Sequence, residues 1–262
     1  MEDLSFYNRE DSMLRKAQFR MLEILDVFVD ICEKHRIDYW LHAGTALGAY
    51  RHKGFIPWDD DLDVAVLKKD YKKLCTILEK ELPVNLKLQT RKTDKNFRFF
   101  YAKIRDLNSI FYENIGEEYK FRGIFIDIFP LVNVPSRLLK KILDSILQSP
   151  YSYARSNVLI KKIRYLIMMM LIPLANLTVA ISSVFINNSK SGFLLYNYGI
   201  RTRHGFQLSC FYPIAKITFE GKKYNVPGDI EGYLSDHFGN DYMTIPPKDK
   251  RRMHANSIAI FK

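Results

Sequence analysis

Four carboxylates fall within five positions, Asp59, Asp60, Asp61 and Asp63, and they run into the apolar alternation Leu62, Val64, Val66 that marks a half-buried strand. Residues two apart on a strand share a face, so Asp61 and Asp63 project together while Leu62 and Val64 turn toward a core. Two such carboxylates repel each other unless a cation lies between them. Hard oxygen ligands suit Mg²⁺ or Mn²⁺, and Mg²⁺ usually takes one or two protein carboxylates and leaves the rest of its shell to water and substrate phosphates. The plain alternative is a solvated, inert acidic turn. A further acid, Asp127, interrupts the apolar strand Ile124 to Phe129. A buried carboxylate needs compensation. Either Asp127 shares a metal with Asp61 and Asp63, as two-metal phosphoryl chemistry with about three carboxylates would require, or it pairs with a base such as Lys103 or Arg105.

Upstream, Gly44 and Thr45 form a small-residue turn between a strand over Ile37 to His42 and a short helix over Ala46 to Tyr50. Strand, tight turn and helix N-terminus together present backbone N–H groups to an anion. Arg51, His52 and Lys53 follow, just before the carboxylates, and are candidates for phosphate contacts. Arg51 would bind phosphate through two donors and Lys53 as a point charge; a solvated basic turn is the alternative. Lys103 and Arg105 share a strand face and would meet a nucleotide's phosphates, or else solvent. His42, on an early strand beside Leu41, is read as a core or supporting residue in preference to a catalytic one. Asp59, ahead of the strand, is read as a loop or supporting residue.

These side chains need a scaffold, and the periodicity supplies one. Apolar residues at helical spacing predict helices over Asp11 to Lys34 and Lys68 to Leu82. Alternation predicts strands at Leu86 to Gln89, Arg98 to Arg105 and Ser109 to Glu113, then a hairpin around Glu220-Gly221 and a short helix over Asp229 to Phe238. Between them, Ser136 to Gln148 reads as a basic amphipathic helix, and no charged residue occurs from Tyr165 to Ser189. That run is long enough to span a bilayer, for which about 20 apolar residues suffice. Pro173, Asn176, Ser182 and Ser183 divide it into two apolar pieces, which predicts a helical hairpin that is buried or lies in a membrane interface. Lys161, Lys162 and Arg164 would then face anionic headgroups. Arg201, Arg203 and His204 form a basic turn suited to an anionic acceptor. The expected division is a core over 1–135, an apolar helical insertion over 136–205 and a segment over 206–262 that completes the core.

Composition narrows the partners. With 262 residues, 47% of them apolar and 14% aromatic, the chain can bury a sizeable core. A net charge of +11 favours an anionic partner, but the bases are dispersed and no nucleic-acid motif is visible, so no nucleic acid is expected. Cys32, Cys75 and Cys210 are odd in number and lack C-x-x-C spacing, as in reduced cytoplasmic proteins. The polar N-terminus MEDLSFYNRE does not read as a signal peptide.

The order Gly-Thr, Asp-Leu-Asp-Val, Ile-Asp-Ile resembles the three-part signature of the nucleotidyltransferase superfold, that of the DNA polymerase beta palm. More closely, Gly44 to Asp63, GTALGAYRHKGFIPWDDDLD, resembles the LicD family, whose bacterial members transfer phosphocholine and whose animal relatives are the fukutins. The likeness continues through Ala102 to Asp106, Gly123 to Pro130, Phe219-Glu-Gly, Pro227, Tyr233-Leu, Phe238-Gly and Tyr242-Met, and it places the tail with His254 near the site. It implies an α+β fold, a nucleotidyltransferase-like mixed sheet flanked by helices with an apolar helical insertion. It implies metal-dependent transfer of a phospho-alcohol, phosphocholine foremost and ribitol- or glycerol-phosphate otherwise, from a CDP-activated donor to a cell-envelope glycan. CMP would be released, on the inner face of the cell membrane. Asp61, Asp63 and Asp127 would be catalytic and hold Mg²⁺ or Mn²⁺. Gly44, Thr45, Arg51, His52, Lys53, Trp58, Lys103 and Arg105 would bind substrate, Trp58 by stacking on a base or choline headgroup unless it simply packs. A nucleotidyltransferase that moves a nucleoside monophosphate, and a catalytically inactive membrane-surface binding protein, are the alternatives.

Overall fold

The computed structural model describes residues 4, 6–113, 118–134, 137–153, 159–186, 193–200, 205–251 and 253–261. Helix α1, Met13–Lys34, starts where the Ser12 side chain accepts the Arg15 N–H at 3.1 Å, and it buries Leu14, Ala17, Met21, Leu25, Phe28 and Cys32 along one stripe. Then come β1 (Tyr39–Leu41), α2 (Ala43–His52), β2 (Asp63–Leu67), α3 (Lys68–Glu81), β3 (Leu86–Gln89), β4 (Ala102–Asp106), β5 (Ser109–Glu113) and β6 (Phe125–Asn133). After α4 (Arg137–Tyr153) and α5 (Leu159–Ile186) the chain returns through β7 (Phe193–Tyr196), β8 (Phe206–Gln207) and α6 (Leu208–Phe211). It closes with β9 (Ala215–Phe219), β10 (Lys222–Val226), α7 (Ile230–Phe238) and β11 (Ala255–Ile260). The class is the expected α+β, a mixed sheet flanked by helices.

The main sheet runs β1-β2-β6-β4-β3, with β7 on β6 and β8 on β7. Long β6 serves two neighbours on one edge: Phe125 to Ile128 pair with β4, and Leu131 to Asn133 pair with β7. Among the described pairs only β2 with β6 is parallel. Strand β2 begins at Asp63, so Asp61 and Leu62 precede it, and Val64, Ala65 and Val66 are all fully buried. The half-buried strand expected there is a central one covered on both faces, the usual situation of parallel strands. The Glu220-Gly221 hairpin forms as expected, with φ of 48° and 81°, the mirror-image turn whose twist suits two-residue loops. Residues 98–101 are not strand: Phe97, Phe99 and Tyr101 pack on one another instead, with ring centroids 5.0 to 6.2 Å apart.

The apolar run departs most from expectation. It is a single helix that continues through Pro173, and the hairpin is made by α4 with α5. Ala175 is buried against Leu143 and Leu147 of α4, with Val179 packed beside them. Proline removes one backbone donor and strains the preceding turn, yet its ring here faces outward and packing on α4 holds the helix together. At its base the hairpin is pinned to the chain after β7. Lys140 Nζ lies 2.5 Å from Asp144 Oδ2 and donates to the Ile200 carbonyl at 2.8 Å. The Gly199 N–H donates to Asp144 Oδ1 at 2.8 Å, and Gln148 donates to the Gly199 carbonyl at 2.6 Å. Both charges are buried, so Lys140→Ala should destabilise the protein by about 3–5 kcal/mol by removing a counter-charge from Asp144. Lys140→Met with Asp144→Asn, which keeps an acceptor for the Gly199 N–H and removes the unbalanced charge, should recover part of that loss in denaturant unfolding.

Candidate active site

Parallel pairing of β2 with β6 sets Asp63 beside Asp127 in register, so both carboxylates leave the same face of the sheet. The start of β2 is held from three directions. The Asp63 N–H donates to Thr45 Oγ1 at 2.8 Å, the His42 N–H donates to the Asp63 carbonyl at 2.9 Å, and the Asp127 N–H donates to the Leu62 carbonyl at 2.8 Å. Gly44 and Thr45 are thus not a free turn but the first turn of α2, and Thr45 spends its hydroxyl on the strand. Gly44 is needed for space: a Cβ there would lie 2.9 Å from Asp59 Oδ2. Asp59 therefore rests against the positive end of α2. Gln18 of α1, fully buried, donates to the Asp59 carbonyl at 2.9 Å and fixes the loop from the other side.

The electrostatics of this cluster are one-sided. Burial pushes the Asp63 carboxyl well above the usual carboxylate range, and Asp61, Asp127 and Asp59 push it further. Burial likewise raises Asp59, which is hydrogen-bonded to Asp61, and raises Asp61 itself. Asp127 is raised by burial to about 6, against the pull of Lys103. The ion pair considered as one alternative for Asp127 is present: Lys103 Nζ lies 2.7 Å from Oδ1 and 3.0 Å from Oδ2. Only the Oδ2 contact has hydrogen-bond geometry, and Oδ1 is buried without a donor. Lys103 against Asp127 and the His254 ring, with Nδ1 3.5 Å from Asp61 Oδ2, offset only part of the charge of the four carboxylates of Asp59, Asp61, Asp63 and Asp127. An orphaned carboxylate oxygen in an excess of negative charge suits a divalent cation. Among the described residues no group of three His, Cys, Asp or Glu side chains is arranged as a ready metal site.

Asp60 turns away from this cluster and does something the sequence reading missed. Fully buried, it accepts the N–H groups of His254 at 2.7 Å and Ala255 at 2.6 Å and the His254 ring Nδ1 at 3.0 Å, latching the C-terminal strand β11 to the acidic loop. Burial opposes its ionisation, but these donors bring its carboxyl below the usual range. In return Asp60, and then Asp61, raise the His254 imidazole to about 9. His42 takes the core alternative. It is fully buried, and burial pushes its imidazole well below the usual value. The Tyr233 hydroxyl accepts the Ala43 N–H at 2.9 Å and donates to His42 Nδ1 at 2.8 Å, leaving Nε2–H for the Tyr196 hydroxyl at 2.7 Å.

Most bases named from the sequence have other partners. Arg51 donates to the Tyr242 carbonyl at 2.9 Å and to His52 Nε2 at 2.9 Å, tying α2 to the 242–244 segment. Burial, then Arg51, lowers His52 to about 4. Lys53 caps α2 in the left-handed conformation, exposed, with Nζ 3.3 Å from the Tyr50 carbonyl. Arg105 is buried as a scaffold residue, bonding Gln89 and the Gly123 carbonyl at 2.8 Å each and Glu113 at 3.5 Å. Trp58 packs: the Tyr7 ring is 5.5 Å from it and the Arg251 guanidinium 4.8 Å. Arg201, Arg203 and His204 lie outside the described residues. Of the named bases, Lys103 is the one placed on Asp127.

Thr45→Val should strand the buried Asp63 N–H at a cost of about 1–3 kcal/mol. It should also lower activity about 10–100-fold by loosening a carboxylate's support, with Thr45→Ser close to wild type; melting and turnover together check this. The latch has a defined pH window. The folded His254 pKa of about 9 exceeds its unfolded value, so its contribution is complete below pH ~6.5 and lost as pH rises through the folded value. The depressed Asp60 carboxyl contributes above pH ~4 and loses its contribution under more acidic conditions. In chelator-treated protein the melting-temperature gap between wild type and His254→Gln should be greatest between pH ~4 and ~6.5 and absent by pH ~10, and it should be small because His254 is half-exposed.

Residues 36–161 match the family model described as LicD/FKTN/FKRP, nucleotidyltransferase domain. The chain is 29% identical to the lipopolysaccharide cholinephosphotransferase LicD of Haemophilus influenzae over 92% of its own length and 95% of that protein's. It is 47% identical to an uncharacterised Rickettsia prowazekii protein over 21% of each chain. It is also 28% identical to the mouse ribitol-5-phosphate transferase FKTN over 38% of this chain and 21% of that one. The acidic loop, the Asp63–Asp127 pair and Lys103 all lie within the span that matches the LicD-family nucleotidyltransferase domain.

Proposed function

We propose that the protein is a LicD-type phosphotransferase that moves a phospho-alcohol, phosphocholine foremost, from a CDP-activated donor to a hydroxyl of a cell-envelope glycan at the inner face of the cell membrane. Support for the phosphocholine group and the glycan acceptor comes from the full-length likeness to a lipopolysaccharide cholinephosphotransferase; the CDP-activated donor rests on the motif resemblance over Gly44 to Asp63. The observation that carries the reading is the register of Asp63 with Asp127, with Asp61 beside them and the Oδ1 of Asp127 left without a donor.

In this reading Asp61, Asp63 and Asp127 hold Mg²⁺ or Mn²⁺. When bound, the ion supplies charge neutralisation to the donor diphosphate and lowers the pKa of the attacking hydroxyl. The rest falls to this chain's own groups. Asp127, beside Asp63 and paired with Lys103, is placed to accept the proton of the acceptor hydroxyl. Lys103, fixed against Asp127, balances negative charge on the transferring phosphoryl group, a role that Arg51 cannot fill while it bonds the 242–244 carbonyls. Thr45 and His42 keep Asp63 in place through its backbone. The hydroxyl oxygen forms the new P–O bond, the bridging P–O bond of the diphosphate breaks, and CMP leaves.

The family description as a nucleotidyltransferase domain favours one rival, transfer of the nucleoside monophosphate itself. Product analysis separates the two, since that reaction leaves a nucleotidylated acceptor instead of free CMP. The purified protein, given CDP-choline, CDP-ribitol or CDP-glycerol with an envelope glycan extract, should release CMP from one donor and only with Mg²⁺ or Mn²⁺. Asp63→Asn should lower the rate by more than about 100-fold, beyond the 10–100-fold typical of losing a supporting group. Metal-independent release, or near-normal turnover in Asp63→Asn, would sink the reading.

A further inference from the structure

Helix α5 has two apolar faces and only one partner. The face formed by Met168, Leu171, Ile172, Ala175 and Val179 is buried or half-buried, with Ala175 and Val179 packed on α4. The opposite face, Ile163, Leu166, Met170, Leu174, Leu177 and Ile181, keeps the same three- and four-residue spacing and is exposed. Met170 is 80% accessible, Leu174 61% and Leu166 58%. An all-apolar helix is ordinarily surrounded by protein or lipid, and a continuous exposed stripe of this length marks an interaction surface. Of the alternatives open for this run, buried core is overturned by that exposure.

Charge identifies what covers the stripe. Lys161 and Lys162 are exposed in the first turns of α5, with Arg164 next in sequence, and the helix contains no acidic residue. Cations at a helix N-terminus oppose the helix dipole, so the helix gains nothing from them there. They do suit an anionic surface lying along the end of an apolar stripe. A second copy of this chain fits poorly. It would bring the same lysines and a net charge of +11 against one another with no acid on the helix to meet them.

The stretch Leu159–Ile181 is long and apolar enough to cross a bilayer, but its neighbour argues against crossing. Helix α4 lies alongside α5 and carries Lys140, Lys141 and Asp144, with Lys141 exposed. A spanning α5 would draw these charges into hydrocarbon, where they are costly. The outer face of α4 also exposes Leu138 and Ile142. We infer that the α4–α5 hairpin docks the protein on an anionic phospholipid membrane, with the exposed stripe of α5 lying in the plane of the interface and Lys161 and Lys162 among the headgroups. Because the base of the hairpin is bonded to Gly199 and Ile200, just beyond β7, and β7 pairs with β6, the docked hairpin also sets the orientation of the strand that carries Asp127.

Co-sedimentation of the full chain with vesicles reads binding and not catalysis, so it is independent of the proposed reaction. Vesicles of equal parts phosphatidylcholine and phosphatidylglycerol should pull the protein down, and pure phosphatidylcholine should do so much more weakly. Lys161→Glu with Lys162→Glu should weaken binding to the anionic vesicles by about 25-fold or more, taking about 5-fold per lysine near a charged surface. Leu166→Ser with Met170→Ser and Leu174→Ser, all at exposed positions and with unchanged circular dichroism and melting, should lower binding at least 10-fold. A tryptophan placed by Met170→Trp should be quenched by lipids brominated near the headgroup; Trp40 and Trp58 are buried and contribute little change. The inference is overturned if wild type stays in the supernatant, including the case where it elutes as a dimer that the serine variant dissolves. It is equally overturned if the serine variant sediments like wild type, or if only deeply brominated lipids quench the new tryptophan.

Discussion

Side-by-side pairing of β2 and β6 is the constraint from which the site follows. Parallel strands align residues of like position, and here alignment brings Asp63 against Asp127 on one face. Two carboxylates held together in a buried setting cost free energy, and neither can rotate away without breaking the pairing. Much of the surrounding structure is arranged around that cost. Strand β4 brings Lys103 opposite Asp127 in the next register pair. Helix α2 offers its first turn, a hydroxyl to the Asp63 backbone and the space of a missing Cβ to Asp59. The fold thereby concentrates negative charge where an isolated chain would disperse it.

The acidic loop itself is built from remote segments. Its carbonyl at Asp59 is fixed by Gln18, its side chain at Asp60 by residues 254 and 255, and its neighbour Phe55 by Glu220. Glu220 also accepts both Arg15 donors, at 3.0 and 2.6 Å. The first helix and the last strand therefore meet at one short loop, and neither end of the chain is peripheral to it. A loop so held presents a preorganised set of groups, at the expense of many long-range contacts that must form before it is ordered.

What could be seen in the sequence and what could not divides along the same line. The acidic cluster was legible because its signal is local, a dense acid run feeding one apolar strand and a lone acid inside another, although Asp61 lies ahead of β2 and Asp59, read as a loop or supporting residue, joins the cluster. The β9–β10 hairpin and the helices α1, α3 and α7 were legible for the same reason. Bases gave no such signal. An arginine that binds phosphate and one that braces a sheet have similar neighbours in sequence, and only Gln89, Gly123 and Glu113 show that Arg105 is the second kind. Trp58 is alike: its partners Tyr7 and Arg251 are distant in the chain. For α5, composition set the length, but Pro173 was weighed as a break because propensity was visible and packing on Leu143 and Leu147 was not.

The chain's electrostatics work on two scales that oppose each other. A net charge of +11 attracts anions from a distance, while the innermost groups are four carboxylates only partly offset by Lys103 and His254. An anionic donor drawn in by the first field would be repelled by the second. A divalent cation reverses the sign at the last few ångströms, since its charge dominates at short range. On the proposed reading this makes the cation part of substrate recognition as well as of the chemistry. It also fits the way the described bases Arg51 and Arg105 are committed to carbonyls and neighbouring side chains: the long-range attraction and the short-range contact are supplied by different groups.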